Sequence, residues 1–387
     1  MLYDELVDGV ERARQFAIAI AQHGFERAAE REDITGYPPK LLKRMLKVST
    51  GYDSVLLNYA DAAPYILAEN NLQWNSFLRA CRGIIFGTNG ALLSFPFHKF
   101  FNINEHNETQ AHNVARWQIR SATEKIDGVM IQVYERGGEL VFASRHAVWS
   151  NAAITAYEIA HSALQHVWRA LPARRKTLIC ELVHPQHRKV GMVDYGDMRA
   201  LVLLFVRDLD TYELTPCCEL FSNSAHELPD PLMLPATYSE HDFYSLYNKV
   251  KSAQTREWEG IVLQATDARG NFLVKIKNPL YLDRIAAIKH ITLNKLLQNY
   301  ELGGLEQARN LLAGYEEIAH ALGYMQLLEE LRSEEEAIEM YARSIKDKPA
   351  SEIEPNMRWV KTYEVGSPKW ELTKRRLVVQ KIKARKR

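Results

Sequence analysis

The sequence predicts an α+β fold in two parts. Antiparallel sheets flanked by helices occupy residues 1–285, and an all-helical region follows over 286–387. Three observations carry this expectation. Residues 118–144, around Glu135-Arg136-Gly137-Gly138-Glu139, and residues 258–277, around Asp267-Ala268-Arg269-Gly270, read as β-hairpins, because apolar runs bracket glycine-containing turns. Residues 177–183 and 200–207 read as buried strands. After Tyr281 the strand signals stop, and Leu, Ala, Glu and Gln dominate.

Composition bounds the function. With 387 residues and 47% hydrophobic content, the chain can bury a sizeable core. A formal net charge of +1 excludes a global field that captures nucleic acid, so any basic patch must be local. Cys81, Cys180, Cys217 and Cys218 lack metal-ligand spacing and read as reduced thiols. The N-terminal apolar run at 16–21 is too short for a signal peptide or a membrane span. A soluble cytoplasmic protein is expected.

Taken in order, residues 3–31 read as one helix ending near Arg31, and Pro38-Pro39 breaks the chain before a short helix at 40–47. The stretch from there to Gln73 gives no placement. Residues 78–86 and 95–105 hold strands with a turn at 87–90 between them. Arg82 enters a strand with Gly83 behind it, a pair that lets a ligand or backbone approach closely. Phe100 and Phe101 beside Lys99 offer either a stacking face next to a cation or ordinary core. Lys125 stands at a strand entrance and is followed by Asp127-Gly128. That turn presents its amine to a pocket, unless it is simply a solvated lysine. A helix covers 152–171. Glu181 interrupts an apolar strand, and glutamate is rarely buried unless paired, so it is either functional or half of an ion pair. Residues 222–254 hold a loop and a helix. In the second hairpin Glu259 and Lys277 fall at one end, and Lys275 and Lys277 share a face. Two lysines and an acid at one rim suit a phosphate and a metal. An edge strand guarded by lysines is the rival. Residues 282–346 read as helices joined at Gly303-Gly304, Gly314 and Gly323, and 347–358 as a linker. The tail, 369–387, carries nine Lys or Arg against Glu371.

Read together, Lys125-x-Asp127-Gly128, Arg82-Gly83, Lys99-Phe100-Phe101-Asn102, Ser144-Arg145, Glu181, Glu259-Gly260-x-Val262 and Lys275-x-Lys277 resemble the ATP-dependent RNA ligases. The likeness is to the bacteriophage-type single-strand RNA ligase 1 family, within the covalent nucleotidyltransferases. It runs from about residue 55 to 282. Arg145 stands where many relatives carry lysine.

The resemblance implies a nucleotidyltransferase domain that sandwiches ATP, followed by a helical domain. DNA ligases and capping enzymes instead carry a β-barrel after the Lys-x-Lys strand. It further implies that Lys125 attacks the ATP α-phosphate, that AMP passes to an RNA 5′-phosphate, and that a 3′-hydroxyl displaces it. By the same resemblance, Lys275 and Lys277 hold the α-phosphate, Arg82 and Lys99 the outer phosphates, and Tyr59 the triphosphate. Gly128 and Arg145 border the nucleotide, and Phe101 or Phe100 stacks on adenine. Asp127, Glu181 and Glu259 hold Mg²⁺ or Mn²⁺, with Glu181 also on the ribose. A free lysine, with a pKa of ~10.4, is mostly protonated at neutral pH, so cations and a metal crowded around Lys125 are expected to favour its neutral form. The implied partner is RNA with 5′-phosphate and 3′-hydroxyl ends, such as cleaved tRNA. It would be bound by a monomer with no membrane partner, in the cytoplasm, that of the infected bacterium if the chain is phage-encoded. The alternatives are a DNA ligase, a GTP-dependent capping enzyme, or a noncatalytic RNA-binding relative.

Overall fold

The computed structural model describes residues 2–188, 192–221, 228–267 and 270–385. Residues 2–188 with 192–281 form one compact unit, and residues 282–385 another. The division falls a few residues before the expected 285. Tyr281 belongs to the first unit, where its ring is buried and its hydroxyl bonds Asp127.

The first helix is Tyr3–His23, not 3–31. Leu6, Val10, Ala13, Ala17 and Ile20 recur at helical spacing and are buried. Its last turn closes at Gly24, whose N–H donates to Ile20 O. After Pro39–Met45 the chain enters a four-stranded antiparallel sheet in sequence order: Leu46–Gly51, Ser54–Tyr59, Arg82–Gly87 and Leu92–Ser94. The first hairpin of this sheet fills part of the stretch the sequence left unplaced.

A second sheet runs in the order Leu214–Pro216, Ala200–Asp208, Lys176–Val183, Val129–Arg136 and Glu139–Ser144, all antiparallel. Leu232–Met233 adds a parallel partner to Ala200–Asp208. The helix Asn151–Trp168 covers one face through Ala153, Ala156, Ala160 and Leu164. The third sheet orders Gly270–Lys277, Gly260–Asp267 and Gln118–Glu124, and packs against the helix Phe243–Lys251. The expected turn of this hairpin lies partly outside the described residues, as does the start of the 222–254 loop. Phe97, Phe100, Ile179, Phe205, Leu214 and Leu273 form one apolar cluster from strands of the second and third sheets and the segment after Leu92–Ser94.

The second unit is helical: Leu293–Leu312, Glu316–Ala321, Tyr324–Ile345 and Pro368–Arg385. Its core includes Leu297, Tyr300, Leu331, Ile338, Trp370 and Val378. Gly303-Gly304 lies inside Leu293–Leu312, which kinks at Gly304, rather than between helices. The expected linker at 347–358 carries the short 3-10 turn Ala350–Glu352 and the start of another, Pro355–Lys361. Among the described residues no helix is long and apolar enough to cross a membrane.

Candidate active site

The site begins with a crossing. Glu124 ends a strand of the third sheet opposite Ile261, and the Lys125 N–H donates to Gly260 O at 2.9 Å. Four residues later Val129 pairs Leu182, and Met130 pairs Glu181, in the second sheet. Lys125-Ile126-Asp127-Gly128 therefore carries the chain from one sheet to the other. Gly128 is needed because a Cβ there would sit 2.4 Å from Leu182 O and 2.9 Å from Glu181 Cγ. On the facing strand Gly260 has φ 137°, and a Cβ would lie 2.1 Å from Ile276 O. These two close approaches bring Glu181 and Glu259 toward Lys125.

A cleft of about 240 Å³ opens beside the crossing, with Arg82, Phe97, Phe100, Lys125, Glu181, Phe205, Lys275 and Lys277 in its walls. The hairpin register sets Lys275 opposite Val262 and Lys277 opposite Gly260, so both lysines face the cleft. Lys275 Nζ lies 4.6 Å from the centre of the Phe100 ring, and Arg82 covers the same ring at 5.8 Å.

Glu259 organises the charges. Only 3% exposed, it takes Lys125 Nζ on Oε2 at 2.6 Å and Lys277 Nζ on Oε1 at 2.7 Å. Burial opposes its ionisation, but the two lysines hold its carboxyl below the usual range. Burial likewise opposes charge on Lys125, yet Glu259, Glu181 and Asp127 together push its pKa up. This corrects the expectation that neighbouring cations favour a neutral amine, since the nearest cation shares Lys125's own counter-ion. The depressed lysine is Lys275, driven well below its ordinary value by burial and by Lys99, Arg82 and Lys125. Glu181 is pushed up to about 7, mainly by burial, against the pull of Lys125.

Several expected residues sit elsewhere. Phe101 is 1% exposed, stacked on His106 at 4.3 Å and covered by Arg79 at 5.1 Å, so no base can reach its face; Phe100 lines the cleft instead. Adjacent residues of an extended segment point opposite ways, and Phe101 took the inward side. Lys99 is buried behind the wall, ion-paired to Glu105 at 3.0 Å. Tyr59 is buried against Trp74, with Arg145 over its ring at 5.5 Å, and Arg145 bonds Asp61 at 2.8 Å. Neither is among the cleft's walls. Asp127 and Gly128 line a neighbouring recess with His184, His187 and Tyr195. There Asp127 accepts the Val193 N–H at 2.8 Å and donates its own N–H to the Tyr195 hydroxyl at 3.1 Å. Tyr195 and the aromatic walls Phe97 and Phe205 had no signal in the sequence beyond apolar character.

The expected metal set is not preformed. Among the described residues no three His, Cys, Asp or Glu side chains gather closely enough to hold an ion. Both Glu259 oxygens are already occupied by lysines, and burial favours the protonated form of Glu181.

Residues 80–281 match the model of a family described as RNA ligase. The chain belongs to that family. It is also similar to RNA ligase 1 of bacteriophage TS2126, at 35% identity over 117 residues, which cover 28% of this chain and 30% of the phage protein. The match thus spans under a third of that relative's length. Among solved structures, an archaeal ATP-dependent RNA ligase is 14% identical over 76% of this chain and 77% of that one, with a TM-score of 0.44. A ligand-free mutant of Naegleria gruberi RNA ligase is 16% identical over 48% and 56% of the two chains, with a TM-score of 0.35. The cleft residues Arg82, Lys125, Glu181, Lys275 and Lys277 all fall inside the segment that matches the RNA ligase family.

Proposed function

We propose that this chain is an ATP-dependent RNA ligase that joins 5′-phosphate and 3′-hydroxyl RNA ends through lysyl-AMP and RNA-adenylate. The observation that carries the reading is Lys125 at the sheet crossing, inside a cleft whose other ionisable walls are Arg82, Glu124, Glu181, Lys275 and Lys277. Each step is an in-line displacement at phosphorus, for which positioning and charge neutralisation dominate. In the first, Glu259 takes one proton from the Lys125 ammonium across their 2.6 Å contact, the freed lone pair bonds the α-phosphorus, the bond to pyrophosphate breaks, and the nitrogen's second proton leaves with the pyrophosphate. Arg82 and Lys277 offset the charge that develops on the phosphoryl oxygens, and Lys275 beside them offers N–H donors. The flat Phe100 ring in the cleft wall suits a stacked adenine. Mg²⁺ or Mn²⁺ would enter with the nucleotide, whose phosphates and waters would supply most of its oxygens.

In this reading the first unit performs the chemistry and the second selects RNA, such as a cleaved tRNA-like loop, in the cytoplasm. The test is incubation with radiolabelled ATP or GTP and a divalent cation, then denaturing electrophoresis. The expected result is covalent AMP on the wild type and none on folded Lys125→Ala. Label persisting on that variant would overturn the assignment, and label from GTP alone would favour a capping enzyme.

A further inference from the structure

A second cavity, of about 400 Å³, opens elsewhere in the first unit. The second sheet lends it Arg207 and Leu214, the third sheet Gln264 and Leu273, and the first helix Leu6, with His98 beside them. Phe97, Phe100 and Phe205 line the Lys125 cleft and share one apolar cluster with Leu214 and Leu273, so that cluster separates the two cavities.

This cavity holds a cation without a counter-ion. Arg207 is 1% exposed, and its guanidinium bonds backbone carbonyls alone. Nε and Nη2 donate to Pro96 O at 3.3 and 3.1 Å, and Nη1 donates to Tyr212 O at 2.5 Å. Each Nη carries a second N–H beyond these bonds. Among the described residues no carboxylate pairs with Arg207, and Glu213, the one acid in the cavity wall, is exposed. Arginine this deeply buried is ordinarily paired. Burial without an acid pushes its pKa down to about 9. His98, 5% exposed, adds a ring whose Nδ1 has no hydrogen-bond partner. Burial and the surrounding cations, Arg207 among them, push its pKa well down, so at neutral pH the ring is uncharged and keeps one N–H to donate.

We propose that this cavity binds a small organic anion, with a carboxylate or phosphate head group on Arg207 and His98 and an apolar body against Leu6, Leu214 and Leu273. The anion supplies the charge that the fold leaves out, and a planar guanidinium suits either head group. The volume is that of a small-molecule site. The inference does not depend on the ligase reading, because the Lys125 cleft lies beyond the apolar cluster.

The test titrates the full chain by calorimetry with benzoate, phenyl phosphate and benzamide, three flat rings that differ in the charge of the head group. Benzoate or phenyl phosphate is expected to bind at least about tenfold more tightly than neutral benzamide, since a buried cation bonds a charged acceptor more strongly. The tighter of the two anions identifies the head group. Arg207→Met should abolish the preference for charge. Asn271→Trp, which sets an indole in the cavity wall, should weaken binding of all three and carries the test if Arg207→Met does not fold. Lys277→Ala, in the other cleft, should change anion affinity by no more than about twofold. Benzamide binding as tightly as the anions overturns the proposal. So does anion binding that survives Asn271→Trp or disappears in Lys277→Ala, which puts the anion in the Lys125 cleft. Absence of binding by both anions at millimolar concentration overturns it as well.

Discussion

At the scale of single residues, burial and charge give Glu181 and Glu259 opposite characters. Glu259 is held ionised by two lysines, while Glu181 is raised from 4.5 to about 7. The second shift has a stability consequence. Between pH 4.5 and about 7 the unfolded chain has released the Glu181 proton and the folded chain retains it, so this group makes stability fall as pH rises through that window. Above about 7 the penalty is complete. Glu181→Gln should therefore gain stability relative to wild type as pH rises from 4.5 to 7, with a level difference above that. Urea unfolding of both proteins at several pH values checks it, and a pH-independent difference would show that Glu181 titrates normally in the fold. Much of this level could be read from the sequence. Lys125 before Asp127-Gly128, the lone acid in an apolar strand, and Lys275 two residues from Lys277 each stand out by residue type and spacing. Which of Phe100 and Phe101 faces the cleft could not be read, because adjacent residues point oppositely and only the strand's partners set the phase.

At the scale of elements, the hairpins with glycine turns were readable and those without were not. The hairpin joining Leu46–Gly51 to Ser54–Tyr59 turns on Tyr52 and Asp53, both at positive φ, where glycine or asparagine is the usual signal. The first helix was read eight residues too long because Phe25–Ala28 keeps helical composition after the break at Gly24. The geometry of the site rests on two close approaches, at Gly128 and Gly260, that the hairpin pattern alone does not single out. Gly260→Ala forces both an unfavourable φ and a 2.1 Å approach to Ile276 O, and should cost at least about 2 kcal/mol, together with the Lys125–Glu259 geometry. Gly137→Ala, in a turn with nothing within 4 Å, should cost only about 1 kcal/mol and leave the site intact. Chemical unfolding and ATP labelling of the two variants side by side make the comparison, and equal effects would show that the tight approach at Gly260 relaxes easily.

At the scale of the whole molecule, the structure alters the meaning of the basic tail. Its helix, Pro368–Arg385, spends most of its charge inside its own unit. Lys374, buried, meets Glu335, Glu339 and Glu371; Arg376 meets Glu301; Lys381 and Arg385 meet Glu334. The sequence counted nine cations against Glu371 and could not see acids supplied by other helices. Phosphate contact would have to compete with these pairs. Substituting Arg376 and Lys381 by methionine is expected to leave the salt dependence of RNA binding unchanged. A slope lowered by about one per lost cation would place the tail on RNA after all. Lys374→Met should lower the melting temperature instead, because it strands acids around a buried position.

The division of charge across the cleft also bears on selective chemical capture. An amine-reactive electrophile responds to how much neutral amine a site offers, and the ion pair with Glu259 withholds that from Lys125 while no nucleotide is bound. Lys275 offers it, because three cations and burial hold its proton loosely, and the Phe100 ring beside it gives an aryl scaffold a surface to lie on. A probe built as a flat ring bearing a mild acylating group is thus expected to mark Lys275 rather than Lys125, which peptide mapping of the labelled protein checks.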